Sequence, residues 1–315
     1  MRADPLHSST RRALLASGAG LWLAGCSTTT PSQPGPLLQA PPVQLPGTHQ
    51  MDLRDPVSGH TWRIWVQRPA GPAPATGHPV LYLLDGNASF ALAAQLARNG
   101  AGRPGELRSD GAIVVGIGHP GDATIHPAER QRDYTPPVPG GTATAQAGGA
   151  EVLLDFIARE LQPRVAAALP VDPQRQTLSG HSFGGLMVLH ALFTRPAQFT
   201  RYAATSPSVW WNNGQVMGTA ERFVQAYTGA PRPFRAQLQL RIGSLETAEA
   251  AATPARAAVQ RERRMRERTE ALATRLSALQ WPELAVQMQV LAGEDHGSVM
   301  APALIDALAL AQLPR

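Results

Sequence analysis

The chain has 315 residues, 43% of them hydrophobic and 16% charged, which allows a full buried core and excludes a disordered chain. All 28 of its basic residues are arginine, and the formal charge of +5 is too modest an excess to mark a nucleic-acid binder. One cysteine excludes internal disulfides, so stability outside the cytoplasm has to come from the core.

In chain order, the first element is an export signal over residues 1–26. "STRRALLASGAGLWLAGC" carries a paired-arginine n-region, a short apolar run and small residues before Cys26. Arg11 and Arg12 are similar to a twin-arginine signal, though "STRRALL" lacks the usual aromatic and general secretion fits as well. Leu23 to Cys26 read as a lipobox, with Cys26 lipidated and becoming the mature N-terminus, which places the protein in the periplasm on a membrane anchor. Loss of Arg2, Arg11 and Arg12 against Asp4 lowers the charge from +5 to +3. Residues 27–46, rich in Ser, Thr, Pro and Gly, have too few apolar side chains to pack and form a tether. A single folded domain is expected over 47–315.

From residue 60 on, strand and helix patterns alternate, which predicts an α/β fold with a mostly parallel sheet and helices on both faces. "TWRIWVQRP" alternates as an outer strand, whereas "PVLYLLDGN" and "GAIVVGIGHPGD" are continuous apolar runs suited to buried parallel strands. "GGAEVLLDFIARELQPRVAAAL" has helical spacing with a possible break near Pro163. "RQTLSG" is a short strand and "GGLMVLHALFTRP" a helix stopped at Pro196. "RYAATSPSVWW", "RAQLQLRIGSLE" and "LAVQMQVLAGEDHG" are further strands, and "SVMAPALIDALALAQL" is a closing apolar helix. Between the last two strands a long arginine-rich helix is expected, with Met265, Leu272, Leu276 and Leu279 on one face. It is either a solvated helix with Glu262–Arg266 and Arg263–Glu267 pairs, or a lid or anion-facing wall.

On this map Gly180, Ser182 and Gly184 place a G-x-S-x-G between a strand and a helix, the context of a nucleophile elbow. Side chains at 180 and 184 are expected to collide with neighbouring backbone. The base then follows late in the chain, and His296 in "GEDHGSV" meets that order. Glu246, at the end of the preceding strand, is the favoured acid; Asp295 is the rival and Glu249 a distant third. The oxyanion donors are the N–H groups of Phe183 and Asn87. No His pair or Cys cluster has metal-ligand spacing, and no cofactor is required.

"YLLDGNASF", "RDYTPP", "GHSFGGLMVLHALF", "SPSVWWN" and "EDHGSV", in that order, resemble the bacterial esterase family of α/β-hydrolases that includes periplasmic enterobactin and salmochelin esterases. The resemblance covers about residues 50–315. It implies the α/β-hydrolase fold and hydrolysis of the trilactone of a catecholate siderophore, a small-molecule partner that carries negative charge as its ferric complex. Arg132 would pair with that charge, or with Asp133, while Trp210 or Trp211 would offer a stacking face. A broader envelope carboxylesterase and a non-catalytic lipid-anchored siderophore binder are the other readings. The arginine-rich insertion departs from the family pattern, and a Ser/His pair without an acid is a further variant.

Overall fold

Eight strands form one sheet in the order β1-β2-β4-β3-β5-β6-β7-β8. The structure, a computed structural model, describes residues 40–101, 111–138, 144 and 146–314. The export signal with Cys26, and residues 27–39 of the tether, lie outside the described residues. The unit that carries the sheet runs from Leu45 onward.

The sheet opens with β1 (Thr48–Arg54), antiparallel to β2 (Thr61–Gln67), which is itself antiparallel to β4 (Ile113–Gly118). Beyond these, β3 (His78–Leu84), β5 (Val171–His181), β6 (Arg201–Thr205), β7 (Ala236–Gly243) and β8 (Leu284–Leu291) run parallel. The expected outer strand β2 is therefore second from the edge. The edge strand β1, "THQMDLR", is polar and mostly exposed, so no hydrophobic pattern announces it.

Strand β3 shows why both faces must be covered. Val80, Tyr82 and Leu84 enter the larger core, while Leu81 and Leu83 point the other way into a second cluster. Each such aliphatic side chain contributes about 1.5–3 kcal/mol of burial. Helices α1 (Gly86–Ala101) and α9 (Met300–Gln312) cover the second face with Phe90, Ala94, Leu304 and Leu308. Helix α5 (Phe183–Thr194), buried from Gly184 to Phe193, packs on the first face. Beside it lie α2 (Pro127–Tyr134), α3 (Ala150–Phe156) and α6 (Trp211–Tyr227).

Two helices differ from expectation. Pro163 does not break its helix: α3 runs through a π-helical turn at Ile157–Leu161 into α4 (Gln162–Ala168), and the i→i−5 bond from Gln162 N–H to Ile157 O shifts the ladder just ahead of the proline, which has no N–H to give. The arginine-rich segment is two helices, α7 (Pro254–Arg263) and α8 (Met265–Ser277), because Arg264 takes a left-handed φ of 46°. That corner separates Glu262 from Arg266 and Arg263 from Glu267. Arg266 pairs with Glu270 instead, and Arg275 with Glu221. Helix α8 buries Met265, Leu272 and Leu276, and Leu279, just beyond its end, packs against the core, whereas α7 buries none of its residues.

Candidate active site

The parallel strands β5, β7 and β8 deliver their carboxyl ends to one rim of the sheet, where α/β proteins place ligand sites. At the end of β5, Ser182 stands at φ 60°, ψ −115°, a strained conformation for a residue with a side chain. Three backbone bonds hold it there: Ser182 N–H to Thr205 O at 3.0 Å, and the N–H groups of Ser208 and Leu186 to Ser182 O, each at 3.0 Å. A Cβ on Gly180 would lie 2.5 Å from the backbone of Gly184, so glycine is obligatory there. At Gly184 the expectation is corrected. A Cβ would meet Leu84 and Asp85 at an ordinary 3.5–3.6 Å, and the second obligatory glycine is Gly185, pressed against Thr205 O and Pro207.

His296 comes from the loop after β8, and its Nε2 lies 3.1 Å from Ser182 Oγ. Its Nδ1 lies 2.7 Å from Oε2 of Glu246, which follows β7 and is 2% exposed. The other oxygen of Glu246 accepts from Ser206 Oγ and from Gly243 N–H at 2.8 Å. Burial by itself would raise the Glu246 pKa, but the bonds from His296, Ser206 and Gly243 outweigh it and hold the carboxyl below its usual range. An ionised carboxylate can only accept, so Nδ1 carries the imidazole proton and Nε2 is left to accept from Ser182. The loops after β7 and β8 are stitched together by Ser244 N–H to Leu291 O and Leu245 N–H to Glu294 O, both 2.9 Å.

Of the rival acids, Asp295 turns its carboxylate onto the N–H groups of Gly297 and Ser298 at 2.8 and 2.9 Å. Those bonds lower its pKa, and they shape the turn that presents His296. Glu249 is exposed and remote from the imidazole's hydrogen bonds.

Both expected oxyanion donors begin helices. Phe183 opens α5, so its N–H has no intrahelical acceptor. Asn87 lies in the first turn of α1, ahead of the Ala88 and Ser89 N–H groups that bond Asp85 O. The β3–β5 pairing ends with Leu83 opposite Ser179, so the segments that carry Asn87 and Phe183 leave the sheet from neighbouring parallel strands. The Asn87 side chain is pinned to β4 by exchanging bonds with the backbone of His119 at 2.9 and 3.0 Å.

Several contributors carry no recognisable motif in the sequence. Arg130 forms a bidentate pair with Asp85, at 2.5 and 3.0 Å, and Tyr134 Oη accepts from Asp85 N–H, so α2 braces the Asn87 loop. His181 donates from Nε2 to the His296 carbonyl oxygen at 2.8 Å, with the two rings 4.6 Å apart. Burial, aided by nearby His296, pulls its pKa down to about 4, so it is a neutral clamp on the histidine loop. Ser208 Oγ lies 3.3 Å from Ser182 Oγ.

Arg132 does not join this group. Its guanidinium grips Asp133 at 2.6 and 2.8 Å, a carboxylate that also accepts from Trp62 Nε1 and His119 Nε2 and that needs a cation because it is buried. Trp210 and Trp211 flank Phe183, with ring centroids 6.0 and 5.2 Å away. A left-handed turn at Asn212, Asn213 and Gly214 follows the pair, and Asn and Gly suit it best.

Fold and site together define a hydrolase of the α/β-hydrolase class. A family model described as "Putative esterase" matches residues 56–280; the chain belongs to that family and is a carboxylic ester hydrolase. It is similar to the ferri-bacillibactin esterase BesA of Bacillus subtilis, 31% identical over 280 residues that cover 86% of this chain and 91% of that one. The siderophore enterobactin esterase of Emericella nidulans is 35% identical over 304 residues, covering 87% and 94%. Among solved structures, the siderophore hydrolase EstB from Aspergillus nidulans superposes with a TM-score of 0.77 at 31% identity, over 88% of this chain and 100% of that one.

Proposed function

We propose that the protein is a serine esterase that opens the ester-linked backbone of a siderophore, of the catecholate class exemplified by enterobactin, and so aids iron release. The observation that carries the mechanism is the continuous chain of hydrogen bonds from Ser182 through His296 to Glu246. Ser182 Oγ attacks the lactone carbonyl while His296 Nε2 takes its proton. The oxyanion accepts from Phe183 and Asn87 N–H, each donor supplying about 3–4 kcal/mol by analogy with measured sites. Collapse expels the alkoxide, which receives the proton from His296. A water molecule, deprotonated by the same imidazole, then attacks the acyl-Ser182 carbonyl, and the serine leaves with its proton restored.

The siderophore reading is supported by the relatives, whose names specify bacillibactin and enterobactin as what those proteins act on. The leader with Arg11, Arg12 and Cys26 supports export to the periplasm and a lipid anchor at Cys26. The test is chromatography of ferric enterobactin after incubation with the protein. Linear trimer, dimer and monomer are expected from the wild type and none from Ser182→Ala; equal turnover by both would overturn the assignment.

A further inference from the structure

The first helix of the arginine-rich segment lines a cavity that His296 also lines. Arg256, Val259, Gln260 and Arg263 follow i, i+3, i+4, i+7 spacing and so share one face of α7. That face, with Met265 and His296, lines a cavity of about 280 Å³, close to the lower end of the roughly 300–1,000 Å³ of small-ligand pockets. Such a space suits one aromatic arm of a substrate rather than the whole molecule. The Arg263 guanidinium lies 4.0 Å from the centroid of the Trp210 ring, and among the described residues no carboxylate is within ion-pair distance of it. On the following helix Arg266 and Arg275 are each paired with a glutamate, whereas Arg256, Arg261, Arg264 and Arg268 share the lack of an ion pair among the described residues; what sets Arg263 apart is its place on the Trp210 ring. Helix α7 is held over the pocket by the left-handed corner at Arg264 and by Met265, which is plugged into the core. Since α7 buries none of its own residues, packing does not explain this face. Half-buried and stacked on indole, an unpaired guanidinium presents N–H donors into the pocket of the reactive imidazole.

We propose that Arg263 on Trp210, with Arg256 two turns earlier, is an anion-recognising wall that makes the enzyme favour ester substrates bearing negative charge on an aromatic acyl arm. This rests on the ester-hydrolase reading of the site. For a catechol siderophore it sets a direction of selection: the iron-loaded form, whose catechols are deprotonated by the metal, is preferred over the iron-free form, whose phenols carry less negative charge near neutral pH.

The experiment uses the 4-nitrophenyl esters of benzoic acid and of 4-sulfobenzoic acid, with ferric and iron-free enterobactin as a second pair. The quantity read is the ratio of kcat/KM for the charged member to that for the neutral one, so intrinsic reactivity cancels between proteins. Arg263→Gln is expected to lower this ratio about tenfold, the usual size of a lost hydrogen bond to a charged group, and Arg256→Gln by a smaller factor. Arg275→Gln removes an equal charge from the outer surface of α8 and should leave the ratio unchanged. Ratios for Arg263→Gln within twofold of the wild type, with its thermal melt preserved, would overturn the arginine wall while leaving the hydrolase reading intact. Wild-type protein that cleaves neither ester of either pair would overturn both.

Discussion

Replacing Glu246 with glutamine removes a charge at nearly constant shape. In the native site one carboxylate oxygen serves Ser206 Oγ–H and Gly243 N–H, and the other serves His296 Nδ1–H. Glutamine has one carbonyl oxygen, which can retain the first two bonds, and an amide that must then point its own N–H groups at Nδ1. The imidazole escapes this clash by moving its proton to Nε2, where it can no longer accept from Ser182. The expected loss in kcat is about 10³–10⁴-fold, or roughly 4–5.5 kcal/mol, in line with the comparable Asp→Asn change in a serine protease. Stability should change little, because both buried donors keep an acceptor. The assay is nitrophenyl butyrate turnover beside a thermal melt, with Asp295→Asn as control. Asparagine can still accept from Gly297 and Ser298 N–H, so that variant should lose less than about threefold. Retention of more than a tenth of kcat by Glu246→Gln, or a larger loss in Asp295→Asn, would refute the reasoning.

Gly180→Ala should cost about 3 kcal/mol or more, because its Cβ would lie 2.5 Å from the Gly184 backbone, whereas Gly184→Ala should fold with a change under about 1 kcal/mol; paired urea melts decide, and equal losses would contradict the contact geometry. Arg130→Met leaves Asp85 buried without its cation, so about 3–5 kcal/mol of stability and most of the activity should go, with partial recovery on adding Asp85→Asn. His181 has a folded pKa of about 4 against an ordinary 6.5, so between those values the unfolded chain binds the extra proton. Stability from this group is therefore complete above pH 6.5 and declines by up to about 3 kcal/mol as pH falls to 4. Urea midpoints at pH 8, 6.5, 5 and 4 should fall more steeply for the wild type than for His181→Asn, and parallel curves would show that the clamp does not titrate in this way.

Much of the sheet was legible because apolar runs such as "PVLYLL" and "AIVVGIG" can be stable only with both faces covered. Ser182 and His296 were legible for another reason: a nucleophile elbow restricts its neighbours to small residues, and chain order limits where the base can fall. Glu246 is favoured in the sequence by its place at the end of a strand, since Asp295 adjoins His296 and has difficulty turning back onto that ring. The geometry that decides between them, Oε2 of Glu246 at 2.7 Å from Nδ1 and Asp295 turned onto Gly297 and Ser298 N–H, depends on the fold. The corner at Arg264 was hidden because arginine propagates a helix well, and the bend is set by Met265 entering the core. Arg130 and Arg132 show the same limit. Two arginines on one short helix read alike in sequence, yet one braces Asp85 and the other neutralises Asp133.

The central claim is that the Ser182 hydroxyl is made nucleophilic by the imidazole of His296. It is tested most directly by treating the protein with diisopropyl fluorophosphate and locating the adduct by intact-mass and peptide spectrometry. One phosphoryl group per chain on the peptide containing Ser182 is expected, with none in Ser182→Ala and slow labelling in His296→Ala. An adduct on another residue, or labelling of the His296→Ala variant at the wild-type rate, would contradict the account.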